Sequence, residues 1–436
     1  MSIKVKKLSS ISPLGQLGKF KENPLAFLDE LKETDSDIAQ FRIANRKVHL
    51  VMNPDFIKDI LETKATYYRQ SSKFDELKPL LGEGLITSED PKHRQQRQKM
   101  APLFTKEHIK SYRLKMISTS EQFYNQQREG EWNLSDVMME LSLACLSRTI
   151  LGMDLAETKE KIGEPLYQIL EVGTKRIRSL LKAPLSFKVG EIKAYTSAID
   201  TLNKTVDEII LWRRGRNHSQ YDFIKVLLEA CEGDRLQARN EVMTMLLSGH
   251  ETTANWLTWC LYAISQNEDV KQNLYREVDH VVGRTRLSPD MLERLTYSKH
   301  VLNESLRLYP PQWMLGRTAV NDITFGGHTV QKGDIVLLSP YVMHRHPKYY
   351  PDPLKFKPER FRGDIPNGVP DFAFFPFGGG ARGCIGNHFA FQEALIILSI
   401  FVQKFDIQLA DENQVVPEPF ITLRVKDGLR VVVRKR

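Results

Sequence analysis

Residues 374–388, FFPFGGGARGCIGNH, bring together residue types and spacings suited to chemistry. Four of the six positions from 378 to 383 are glycine. That composition costs chain entropy and is kept where the backbone must take positive φ or let a flat partner come very close. After Cys384 and Gly386 comes the apolar run FAFQEALIILSIFVQKF, which predicts a sulfur just ahead of a helix N-terminus. Backbone N–H groups and the helix dipole there favour a thiolate over a thiol, whose ordinary pKa is about 8.5. Arg382 adds a cation two residues away. Such a loop suits one anionic sulfur presented to a planar, buried partner. Three other chemistries share some of these letters. A buried cysteine is most often a small core hydrophobe, but that role needs no glycines. Gly378, Gly380 and Gly383 spell G-x-G-x-x-G, with Asp406 at 23 residues' distance, yet Pro376 breaks the strand a dinucleotide fingerprint needs and only 30 residues follow Asp406. A cysteine nucleophile would want a base, for which His388 or another of the 11 histidines could serve.

Three further spacings carry their own physics. Within a helical segment from about Arg235 to Gln266 lies SGHETT, residues 248–253. A mid-helix glycine and hydroxyls that compete for backbone hydrogen bonds weaken a helix, so an opening is expected there. Ser248 and Thr252 are four apart and share a face. Glu304 and Arg307 form E-x-x-R in a helix that ends at Pro310-Pro311; Tyr297, Val301, Glu304 and Leu308 fall on one stripe, which puts a carboxylate on the buried face. A surface i, i+3 ion pair would give the same spelling. His93 and Arg97, four apart in KHRQQRQKM, place two cationic groups on one helix face, where they could bind carboxylates or be plain surface.

These residues need elements to hold them. Residues 48–52 and the Arg42, Ile43 region read as a hairpin, followed by Pro54 and a helix through Ile60. From about residue 92 to 300 the pattern is almost wholly helical; EHIKSYRLKMISTSEQFYNQQ, LSDVMMELSLACLSRTILG and AYTSAIDTLNKTVDEIILWRRGR carry apolar residues three and four apart. Between residues 315 and 338 the period changes to strands, with turns at Asn321-Asp322, Gly326-Gly327 and Lys332-Gly333-Asp334, and LRVVVRKR is the last such run. With no repeat and no Pro/Gly/Ser linker, one domain over residues 1–436 is expected, mainly α with a small antiparallel β subdomain. Hydrophobic residues at 41% allow a large core, and the 62 basic residues interleave with 54 acidic ones, so the net charge of +8 marks no nucleic-acid surface. Four scattered cysteines make neither a disulfide framework nor a zinc site and fit a reducing cytoplasm. The basic start has no apolar stretch behind it, and no segment has the length of a membrane anchor.

Phe377, Gly380, Arg382, Cys384 and Gly386 reproduce the F-x-x-G-x-R-x-C-x-G signature, and in this the chain resembles the cytochrome P450 family. Ser248, Gly249, Glu251, Thr252 and Thr253 look like the family's (A/G)-G-x-(D/E)-T-T motif, with Ser248 in place of the usual Ala or Gly. The resemblance, over roughly residues 40–436, implies the P450 fold and haem b ligated by Cys384. Phe377, Gly378, Arg382 and Gly386 would belong to the haem-binding loop, with Gly249 over the haem. Glu251 and Thr252 would be the acid and alcohol that deliver protons to dioxygen. Glu304 and Arg307, with Arg360 from Pro358-Glu359-Arg360-Phe361, look like the family's buried network. His93, Arg97 and Arg317 would hold the propionates, and His344 sits where many members face one.

The implied activity is monooxygenation of an apolar fatty acid, terpenoid, steroid or polyketide-like molecule. Axial thiolate ligation favours O–O cleavage, with one oxygen entering substrate and the other leaving as water. Electrons would come from NAD(P)H indirectly, through a separate ferredoxin or flavodoxin and its reductase, with Lys92, Arg94, Lys99, Lys106 and Lys110 as a docking patch for an acidic carrier. By analogy the pocket would include Phe74, Leu77, Leu81, Ile86, Leu247, Ser248, Trp313, Met314, Leu315 and Ile421, with Tyr67, Tyr68 and Arg69 placed to catch a carboxylate. The expected protein is monomeric, cytoplasmic, unanchored to membrane and without nucleic acid. Its alternatives are a hydrogen-peroxide-driven peroxygenase, against which the Glu251–Thr252 pair argues, and a non-catalytic haem sensor or carrier.

Overall fold

The computed structural model describes residues 3–178, 189–214, 222–363, 366, 368–411 and 415–436. It is mainly helical, with small and mostly antiparallel sheets. The residues gather into two compact units, one of residues 1–72, 300–384 and 417–424, the other of 73–299, 385–416 and 425–436. Each is built from three separate stretches of chain, which is why no linker composition marks a boundary.

The first unit is organised by a six-stranded sheet in the order Val5–Lys7, Ile38–Ile43, Arg46–Val51, Ile335–Leu338, Leu315–Ala319, Tyr68–Gln70. The expected hairpin is Ile38–Ile43 against Arg46–Val51, paired from Ile43↔Arg46 to Ile38↔Val51. Two joins are parallel, Val5–Lys7 to Ile38–Ile43 and Arg46–Val51 to Ile335–Leu338. Strand Arg46–Val51 is covered on both faces over its second half, where Val48, His49, Leu50 and Val51 are all buried, so no in–out alternation shows there. The helix from Pro54 ends at Lys58 and continues as a single wider turn over Asp59–Thr63. Ile323–Phe325 and His328–Val330 form a hairpin whose two-residue turn is Gly326-Gly327, with φ of 50° and 91°. Positive φ at both central residues matches the strand twist and explains the glycine pair.

The second unit is helical. Its longest element is the 31-residue helix Arg235–Ser265, started by Asp234, whose side chain accepts from Gln237 N at 3.1 Å. That helix packs on Leu134–Ile150, and Trp256, Leu257, Trp259, Cys260 and Leu261 are buried around its circumference. Each large apolar side chain so buried contributes about 1.5–3 kcal/mol. Asn387–Lys404 packs against Lys106–Gln126 and Glu268–Val281. The stretch expected to be almost wholly helical is interrupted at Gly130–Asn133, a strand pairing with Arg430–Lys435, which also pairs with Phe405–Leu409. Of the third helical run named above, Val189–Arg214 is a helix and residues 215–216 lie outside the described residues.

Candidate active site

The cysteine loop is held in shape by its own backbone. Gly378 N donates to Phe375 O at 2.9 Å, Gly383 N to Gly380 O at 3.0 Å and Cys384 N to Phe377 O at 2.8 Å. Gly378 and Gly380 take φ of 70° and 63°. A Cβ on Gly380 would lie 1.9 Å from Leu61 O, so the glycine is required both by its conformation and by the close approach of another backbone. Cys384 is exposed, whereas Cys145 and Cys260 are buried. Burial pushes the Cys145 thiol far up and Cys231 to about 12, leaving both as inert thiols. Helix Asn387–Lys404 begins three residues after Cys384, as its sequence predicts. No cluster of three or more potential metal-ligating side chains occurs among the described residues. One presented sulfur on a glycine loop suits a group that brings its own remaining ligands, and the donor set fits a haem.

Behind the loop stands a buried ion-pair network. Glu304 and Arg307 are both fully buried and joined by two hydrogen bonds of 2.7 Å. Lys357 N donates to Glu304 Oε1 at 2.8 Å, and Arg360 Nε lies 3.4 Å from the same oxygen. Arg307 also donates to the carbonyls of His344, Pro353 and Lys355 at 2.8, 2.6 and 3.1 Å. His344 differs from its expected position facing a propionate. Its Nε2 accepts from Phe375 N at 2.9 Å, and burial lowers its pKa to about 3, which keeps it neutral. It therefore braces the start of the cysteine loop, and Glu304, Arg307, His344 and Phe375 form one continuous path.

Helix Arg235–Ser265 does not open at SGHETT. It is helical throughout, and each hydroxyl folds back onto the preceding turn: Ser248 Oγ donates to Thr244 O at 2.7 Å, Thr252 Oγ1 to Ser248 O at 2.8 Å and Thr253 Oγ1 to Gly249 O at 3.0 Å. Gly249 leaves the space that Leu146 fills, since a Cβ there would meet Leu146 Cδ2 at 3.0 Å. Glu251 and Thr252 are half-buried. His250 is fully buried, its Nδ1–H donates to Leu246 O at 2.6 Å, and burial lowers its pKa to about 4, so it is neutral.

The cationic candidates divide between the units. In the helical unit His93 is buried with Nδ1 3.4 Å from Asp90 Oδ1, and Arg97 is half-buried on the same helix, Lys92–Met100. In the sheet unit Arg317 is buried on strand Leu315–Ala319, while Phe377 and Arg382 are half-buried. Of the supposed docking patch, Lys92, Arg94 and Lys99 pair with Glu83, Asp90 and Glu232, while Lys106 and Lys110 are exposed.

Among the apolar candidates, Leu81 is fully buried and Phe74, Leu77, Ile86, Leu247 and Ser248 are half-buried in the helical unit. Trp313 belongs to the core of the sheet unit, its indole N–H on Phe420 O at 2.9 Å, with Met314 and Leu315 half-buried beside it in sequence and Ile421 half-buried beside Phe420. Tyr68 is buried, whereas Tyr67 and Arg69 are exposed. Sequence reasoning missed Glu241. This buried carboxyl accepts from Leu85 N at 2.9 Å and Gln237 Nε2 at 2.6 Å, fastening the loop of Leu81 and Ile86 to helix Arg235–Ser265. Burial raises its pKa to about 7. The signal available was Gly82 and Gly84, which lie against Asn240 and Thr244 on that helix.

A family model described as cytochrome P450 matches residues 6–428, through both units. The chain belongs to the cytochrome P450 family and is a P450 monooxygenase. It is similar to the cyclooctatin synthase of Streptomyces melanosporofaciens, 29% identical over 92% of this chain and 89% of that one. It is also similar to the cyclooctat-9-en-7-ol 5-monooxygenase of the same organism, 29% identical with 92% and 88% covered, and to the pentalenene oxygenase of Streptomyces avermitilis, 25% identical with 98% and 96% covered. Among the described residues no helix is long and apolar enough to cross a membrane.

Proposed function

We propose that the chain, acting as a single P450 domain, holds haem b through the Cys384 thiolate and oxygenates an apolar cyclic terpenoid. The observation that carries this reading is the exposed Cys384 on a glycine loop braced, through His344, by the buried Glu304–Arg307 pair. When bound, the haem supplies reductive activation of dioxygen, with one oxygen atom going to substrate and one to water. Phe377, Gly378, Arg382 and Gly386 shape the loop; His93, Arg97 and Arg317 supply cations for the propionates. Because Thr252 Oγ1 spends its proton on Ser248 O, its lone pairs are left to accept an incoming hydrogen bond, and half-buried Glu251 can exchange protons with solvent. The half-buried apolar side chains near residues 74–86 and 247 suit a hydrocarbon skeleton, and the names of two relatives specify pentalenene and cyclooctat-9-en-7-ol. Electrons arrive from NAD(P)H by way of a ferredoxin or flavodoxin and its reductase in the cytoplasm.

The carbon monoxide difference spectrum of the reduced protein tests the ligand. The native chain is expected to give the thiolate-type band and Cys384→Ser to lose it; a band unchanged by that substitution overturns the assignment. Turnover of cyclic terpenes with a reductase system, and its absence with hydrogen peroxide alone, separates monooxygenase from peroxygenase.

A further inference from the structure

A surface pocket of about 510 Å³ in the helical unit gathers four cations, Lys115, Arg148, Arg213 and Arg286. Helix Lys106–Gln126 contributes Lys115 and Ser118, helix Leu134–Ile150 contributes Arg148, and helix Val189–Arg214 contributes Arg213. Two cations have carboxylates: Arg213 pairs with Asp222, and Arg286 Nε lies 2.7 Å from Glu121 Oε2. Among the described residues neither Lys115 nor Arg148 forms an ion pair of its own, although Asp222 lies close enough to act on Lys115. Four cations against two carboxylates leave an excess of two positive charges around one concavity. Burial holds the Lys115 ammonium below its usual range; Asp222 opposes that shift, while Arg213 and Arg148 add to it. Like charges gathered this way repel one another, and a bound anion relieves the repulsion. The wall is pre-built: Arg213 Nη2 donates to Leu151 O at 3.1 Å, and any Cβ on Gly152, at φ 72°, would lie 2.1 Å from that nitrogen.

We infer that this pocket binds the phosphate group of a phosphorylated molecule, with Lys115 and Arg148 as its charged contacts and Ser118 as a hydroxyl contact. A phosphate monoester carries about −1.5 to −2 charges at pH 7, which matches the local excess. Guanidinium and ammonium donors form strong charge-assisted bonds to phosphate oxygens. A volume of about 510 Å³ exceeds what an inorganic ion fills and leaves room for an organic body. A phospholipid headgroup offers the same chemistry, so the test has two arms.

The full chain is titrated with inorganic phosphate by calorimetry, with ionic strength held constant by sodium chloride. Saturable binding of one phosphate per chain is expected, with Kd on the order of 1 mM. The double variant Lys115→Ala/Arg148→Ala weakens it at least ~10-fold. Lys204→Ala, an exposed cation on the helix of Arg213, leaves it unchanged. In the second arm the chain is sedimented with phosphatidylcholine vesicles containing phosphatidic acid. Retention that depends on Lys115 and Arg148 assigns the headgroup, and phosphate binding without retention assigns a soluble ligand. A Lys115→Gln/Arg148→Gln variant, with circular dichroism and Tm alongside, guards against misfolding. Neither saturable binding nor retention, or equal binding by folded variants, overturns the site.

Discussion

Glu304 and Glu393 are both fully buried carboxyls, and they sit in opposite electrostatic surroundings. Glu304, in the unit of the cysteine loop, has both oxygens on Arg307, a third hydrogen bond from Lys357 N, and Arg360 at 3.4 Å. Among the described residues Glu393, on the helix that follows Cys384, accepts only from Ser142 Oγ at 2.9 Å, and its Oε2 has no hydrogen-bond partner. No cation faces it among the described residues, and burial pushes its pKa up to about 8. The difference teaches that one region stores a paired charge to fix a loop, while the other keeps its acid protonated at neutral pH.

The comparison breaks hardest at Glu304. Glu304→Ala leaves Arg307 buried without its counter-charge, and a loss of about 3–5 kcal/mol is expected by urea unfolding, with the haem lost before global unfolding. A smaller loss than that of an exposed ion pair, under about 1 kcal/mol, would show that the network does not brace the loop.

Glu393 sharpens the contrast through pH. Its folded pKa lies above the unfolded value of 4.5, so it favours the fold below that value, and the contribution is lost as pH rises through about 8. Glu241, raised to about 7, adds a slope of the same sign. Glu393→Gln should flatten stability between these limits and come out about 5 kcal/mol more favourable relative to the native chain at the alkaline end than at the acid end. Parallel profiles would mean that Glu393 is hydrated.

Gly380→Ala probes the loop itself. With φ at 63° and Leu61 O in the way, it should cost more than about 1 kcal/mol and shift the thiolate band, whereas Gly18→Ala, where a Cβ meets nothing within 4 Å, should not. The smallest effect on stability is expected at Thr252→Ala. Its hydroxyl bonds only its own helix, so stability should stay within about 0.5–1 kcal/mol, while oxygen consumption is diverted from product to peroxide. Full coupling in that variant would remove Thr252 from the proposed proton path.

Much of the framework was legible in the sequence. The hairpin near residue 48, helix Arg235–Ser265 and the strands between residues 315 and 338 follow from hydrophobic period and turn residues, because those signals are local. What failed was long-range. SGHETT predicts an opened helix from the weakness of its residues, but the helix is continuous there, with Leu146 of a neighbouring helix packed at Gly249. His344 has the residue type for a propionate contact, but the amide of Phe375, distant in sequence, claims its ring. Gly130–Asn133 becomes a strand only because Arg430–Lys435 lies beside it.

The sequence alone determined the family, the single sulfur offered to a cofactor and the order of the elements, since those rest on residue identity and short spacings. The tertiary structure decided which charges are paired. It set Glu304 against two guanidiniums, left Glu393 with no facing cation among the described residues, and gathered Lys115 and Arg148 into one pocket. Burial and counter-charge are properties of neighbours brought together by folding, and spacing along a chain does not encode them.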